Sequence, residues 1–111
     1  MTKKKNISNE EYIVLKTFEK HPDWTQRRIA KELNLSLGKT NYLIRALIDI
    51  GLLKLANFRR SDNKLGYIYI LTPEGINEKS KATKLFLLRK EDEYKKLKEE
   101  IKQLKDEIGM E

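Results

Sequence analysis

The chain has 111 residues, 37% charged and 39% hydrophobic, which suits one small domain with a modest core and one extended element. It has no cysteine, which excludes a disulfide framework and a thiolate metal site, and no apolar run near the ~18 residues a membrane span needs. The net charge of +7 is lopsided: residues 1–72 hold 14 Lys/Arg against 7 Asp/Glu, while residues 73–111 hold 10 of each. A basic excess confined to the compact part points to an anionic partner, nucleic acid before membrane.

Met1–Asn6 carries lysines with no apolar stretch behind them, unlike a secretory signal, so a cytoplasmic protein is expected. Ser8-Asn9-Glu10-Glu11 then reads as a capping box, with Ile7 and Tyr12 spaced as a hydrophobic staple across it. Tyr12, Leu15 and Phe18 supply the inward stripe of a first helix, which His21-Pro22-Asp23 stops. Thr25 caps a short second helix running to about Leu33, and Trp24 and Ile29 again have staple spacing. Asn34-Leu35-Ser36 makes a turn, Ser36 caps a third helix ending near Ile50, and Gly51 closes it.

Leu52–Phe58 and Tyr67–Leu71 are strand-like runs around the polar segment 59–66, the pattern of a β-hairpin. Thr72 caps a last helix with Pro73 at its first position and Leu71/Ile76 as its staple. The expected fold is mainly α with a small β-hairpin wing: a winged helix-turn-helix domain over residues 7–76, then a C-terminal helix over 77–111. In such a fold the second helix of the pair, residues 37–50, can enter the major groove.

On a wheel of 100° per residue with Leu37 at the origin, Thr40, Ile44, Leu47 and Ile48 fall within about 80°, and Leu43 and Ile50 extend the apolar arc. The opposite face carries Gly38, Asn41, Tyr42, Arg45 and Asp49, with Lys39 and Ala46 at its edge. Arg45 suits a forked contact to guanine and Asn41 the equivalent contact to adenine. Gly38 permits close approach to a phosphate, and the helix start at Ser36 favours one. An ordinary solvated helix face has the same polarity, but an outward tyrosine at position 42 argues against that. Gln26 and Arg27 at the start of the second helix are further candidate DNA contacts, and Arg59, Arg60 and Lys64 at the hairpin tip are placed for the backbone or minor groove.

Tyr94, Leu97, Ile101, Leu104 and Ile108 are spaced 3, 4, 3, 4, which is a heptad seam that Leu87 continues backward and Lys90 interrupts. Ile at a with Leu at d favours two parallel strands. Glu93 and Glu100 at g would meet Lys98 and Lys105 at e of a parallel partner, whereas an antiparallel pair would set like charges together. A homodimer through Leu87, Tyr94, Leu97, Ile101, Leu104 and Ile108 is expected.

Thr25-Gln26-Arg27-Arg28-Ile29-Ala30-Lys31-Glu32-Leu33-Asn34-Leu35-Ser36, the helix end Leu47–Leu52 and the closing Leu71-Thr72-Pro73-Glu74-Gly75 resemble the MarR-type winged-helix regulators. More narrowly, Ser36–Tyr42 with Asn57-Phe58-Arg59 and Lys64-Leu65-Gly66-Tyr67 resembles the small MarR-like regulators associated with exopolysaccharide gene clusters. The resemblance implies binding of double-stranded promoter DNA as a dimer. The helices that form the usual dimer and small-ligand pocket are reduced here to one C-terminal helix, so no small-molecule effector is implied.

Enzyme chemistry, cofactors and metals are not expected. The sole histidine, His21, lies beside a proline in a turn, and no phosphate loop or metal-ligand spacing occurs. The alternative is a winged helix used for protein contacts, with the coiled coil as its interface.

Overall fold

A computed structural model describes residues 7–59 and 65–110. Helix α1 spans Asn9–Lys20. Its start is the reciprocal capping box: the Ser8 amide donates to Glu11 Oε1 at 2.8 Å and the Glu11 amide to Ser8 Oγ at 3.1 Å. Proline at 22 stops it, and His21 closes the last turn by donating its amide to the Thr17 carbonyl. Val14, Leu15 and Phe18, all essentially inaccessible, are the centre of the core.

Helix α2 (Gln26–Leu33) starts on Thr25, whose hydroxyl accepts from the Arg28 amide at 3.1 Å. It ends on Asn34 at φ 56°, a left-handed geometry that a short polar side chain tolerates. Helix α3 (Leu37–Asp49) starts on Ser36, which accepts from the Lys39 amide at 3.0 Å, and Gly51 at φ +80° turns the chain beyond it.

The buried residues of α3 are Thr40, Leu43, Ile44 and Leu47. Leu37 and Ile48, expected inside, are 41% and 37% exposed. The inward arc is therefore centred about 70° from Leu37, a rotation that periodicity misses because it counts Leu37 and Ile48 as inward with the rest. In the fold Thr40 is fully buried and satisfied, its hydroxyl donating to the Ser36 carbonyl at 2.9 Å.

Strands β1 (Leu53–Arg59) and β2 (Leu65–Leu71) pair antiparallel, with Leu53 opposite Leu71 and Arg59 opposite Leu65. The ladder reaches further into the polar segment than alternation suggested, because pairing uses backbone groups whatever the side chains. Leu53 and Leu71 close the core from the hairpin's base.

Helix α4 (Pro73–Glu107) begins on Thr72, whose hydroxyl accepts from the Gly75 amide and donates to the Gly51 carbonyl. Ile76 stays half-exposed in a shallow depression shared with Leu71, so the expected staple is only partly closed. The helix runs without a break across residues 76 and 77, the expected boundary between the winged domain and the C-terminal helix. Its contacts with α1 include Lys79–Glu19 (2.7 Å), Thr83–Tyr12 (2.9 Å between hydroxyls), Phe86–Tyr12 (ring centroids 6.1 Å apart) and Arg89–Asn9 (3.3 Å). From Lys90 onward every described residue is exposed, and the molecule is 68 Å in its longest dimension.

Candidate nucleic-acid interface

Helix α3 is held against the core by Leu43, Ile44 and Leu47, so its opposite side faces solvent on a rigid support. Gly38, Lys39, Tyr42, Arg45 and Asp49 are all exposed there, Tyr42 at 65%. A Cβ added at Gly38 would meet no atom of the described residues within 4 Å. The protein's own packing therefore does not require glycine at this position. Arg45 has no ion-pair partner among the described residues. Its guanidinium keeps its forked set of donors for an external acceptor.

Two residues on this face are partly engaged by the protein. The Lys39 ammonium lies 3.4 Å from the Glu10 carboxylate at the start of α1 and 5.6 Å from the Tyr42 ring centre. Both Lys39 and Glu10 are well solvated, so the pair is weak and easily exchanged for a phosphate. Asn41 is half-buried rather than fully outward, and its Nδ2 donates to Gln26 Oε1 at 3.0 Å. Expected on the face opposite Leu37, Asn41 in fact falls only about 40° from Leu37 on the wheel, beside Ile48, and so lies at the rim of the exposed face.

On α2, Gln26 is half-buried and Arg27 exposed, the latter with no ion-pair partner among the described residues. Arg28 is occupied: its guanidinium sits 4.4 Å from the Trp24 ring centre and 3.9 Å from Glu32. Trp24 in turn stacks on His21 at 3.9 Å, which gives His21 a packing role in the turn. At the wing, Arg60 and Lys64 lie outside the described residues; Arg59 closes the ladder as the last residue of β1. Sequence reasoning missed Glu10 beside Lys39 and Tyr69 beside Gln26, since both pairings bring together residues far apart in the chain.

Among the described residues no group of His, Cys, Asp and Glu side chains is arranged to hold a metal ion, and no helix is long and apolar enough to cross a membrane.

A family model for winged helix-turn-helix DNA-binding domains matches residues 12–54, from α1 through the start of β1. Over more than nine-tenths of its length the chain is also similar in fold to solved regulators. The MepR–DNA complex of S. aureus aligns at TM-score 0.62 and 21% identity, over 92% of this chain and 78% of that one. Streptococcus pneumoniae FabT in complex with DNA aligns at 0.56 and 21%, over 95% and 78%. MarR of Staphylococcus aureus, in complex with salicylate and kanamycin, aligns at 0.55 and 16%, over 92% and 73%. The chain has a MarR-like winged helix-turn-helix fold. At these identities the likeness is one of architecture, and no curated protein matches the sequence. In the MarR-like frame α2 and α3 are the helix-turn-helix pair, the β1–β2 hairpin is the wing, and α4 is the long C-terminal helix.

Proposed function

We propose that the chain is a sequence-specific, double-stranded-DNA-binding transcriptional regulator that acts as a homodimer. Helix α3 enters the major groove, with Arg45 reading a guanine and Tyr42 and Asn41 contacting neighbouring positions. The amides at the start of α3, with Gly38 and Lys39, hold a phosphate, and Arg27 and the basic wing residues Arg59, Arg60 and Lys64 contact the backbone or minor groove. The observation that carries this reading is the exposed, donor-rich face of α3, mounted on the core and carrying the Arg45 guanidinium, which has no ion-pair partner among the described residues. The fold shared with MepR and FabT, both solved on DNA, supports it.

The second copy joins through α4. Tyr94, Leu97, Ile101, Leu104 and Ile108 form one apolar seam, 44–72% exposed in the single chain, flanked by the Glu and Lys positions of a parallel pair.

The test is titration of duplex at several salt concentrations. Binding should weaken with salt with a slope near −0.9 per phosphate neutralised. Arg45→Ala should cost about 1–3 kcal/mol on the preferred sequence and relax discrimination at one base pair. No uptake of any duplex at low ionic strength, or an equal loss for Arg45→Ala on every sequence, would count against the reading.

A further inference from the structure

A hydrogen-bonded chain of side chains joins the wing to the recognition helix. Asn41 of α3 donates through Nδ2 to Gln26 Oε1 at 3.0 Å, and Gln26 of α2 donates through Nε2 to the Tyr69 hydroxyl of β2 at 2.8 Å. All three side chains are half-buried. The Tyr69 end is well anchored: its ring packs on the buried Phe18 ring at 4.9 Å, and its amide donates to the Pro22 carbonyl at 3.3 Å.

Gln26 is the middle member and has both polar atoms engaged. To swing toward a phosphate it must give up two hydrogen bonds. Asn41 has spent one amide hydrogen on Gln26, and keeps its second hydrogen and Oδ1. Those are the donor and acceptor that a side-chain amide uses against adenine. A solvated asparagine would have to be ordered on binding; this one is ordered already, by a residue on another helix.

We propose that Gln26 is a positioning residue for sequence reading: with Tyr69 behind it, it fixes the Asn41 amide in the orientation that contacts the base, and does not itself contact DNA. The inference rests on the DNA-reading role of α3. It makes discrimination at the Asn41 base pair depend on a hydroxyl of the wing's second strand.

The experiment uses the full chain and two duplexes: the sequence selected by the wild type from a random pool, and a scrambled duplex of the same length. Gln26→Leu removes both hydrogen bonds at similar volume. Tyr69→Phe removes only the hydroxyl and leaves the ring on Phe18, so it keeps the test open if Gln26→Leu fails to fold. In both variants the ratio of selected to scrambled affinity should fall about tenfold, at the same base pair that Asn41→Ala relaxes, with the salt slope retained. Gln26→Leu combined with Asn41→Ala should be no worse than Asn41→Ala alone.

Equal losses on both duplexes, with base preference unchanged, would show a direct phosphate contact by Gln26 and overturn the inference. So would additive losses in the double variant, or unaltered base preference in Tyr69→Phe. Wild-type protein that binds no duplex would instead remove the DNA reading on which the inference rests.

Discussion

Gly38 sits at the second position of α3, where the fold leaves open space around it. Alanine is the better helix former by about 0.5–1 kcal/mol, and among the described residues nothing opposes its methyl group. Gly38→Ala should therefore raise the thermal midpoint by a few degrees, roughly the shift such an energy produces in a small domain. If the backbone of α3 approaches a phosphate at this point, the same methyl group should weaken duplex binding severalfold. The two effects have opposite signs, so a melting curve and a titration on one variant separate them. A raised midpoint with unchanged affinity would show that the phosphate lies elsewhere. The exposed donors were legible from a helical wheel, because Tyr42 and Arg45 lie opposite Leu43, Ile44 and Leu47 on one helix. The Asn41–Gln26–Tyr69 chain was not, because its members are 15 and 43 residues apart and meet only when helix, helix and hairpin are assembled.

The elements themselves were readable where a cap carries the information. Ser8, Thr25, Ser36 and Thr72 each accept a backbone amide three residues on, at the four positions where helices were expected to start. The seating of α4 was less readable, since it turns on a residue with no side chain. Gly75 is buried at the first turn of α4, and a Cβ there would lie far inside contact distance of the Leu52 carbonyl oxygen. That carbonyl already accepts the Thr72 amide at 3.0 Å, so it cannot move without releasing α4 from the start of the hairpin. Helix propensity favours alanine at position 75 as it does at 38, yet overpacking against backbone costs about 1–3 kcal/mol. Gly75→Ala should lower the denaturant midpoint, read at one protein concentration because a dimer's stability depends on it. A midpoint equal to or above wild type would mean that the contact relaxes freely.

At the scale of the whole molecule, α4 serves two surfaces in turn. Its 35 residues span about 52 Å at 1.5 Å each, and its contacts with α1 at Lys79, Thr83, Phe86 and Arg89 use only the first half. The remaining length leaves Tyr94, Leu97, Ile101, Leu104 and Ile108 uncovered. Most helical stability in proteins comes from packing of an amphipathic face, and in the proposed dimer the second copy supplies that packing for the projecting half. Its own ion pairs, Lys90–Glu93 and Asp92–Lys96, are exposed and add only a few tenths of a kcal/mol each. Placing an aspartate at both d positions, Leu97→Asp with Leu104→Asp, buries two charges per chain in any pairing that uses this seam. Light scattering should then report 13.2 kDa instead of twice that mass. The winged domain should remain folded, because its core residues, Val14 to Leu71, lie outside the altered segment. On the proposed reading, the wild type should engage the second half-site of a two-site duplex as an intramolecular step, strengthening binding by roughly 10²–10⁴ when the spacing fits. The monomeric variant should lose that factor while keeping its affinity for a single half-site. An unchanged mass, or a monomer that binds the double site as tightly as wild type, would sever the link between α4 and DNA recognition.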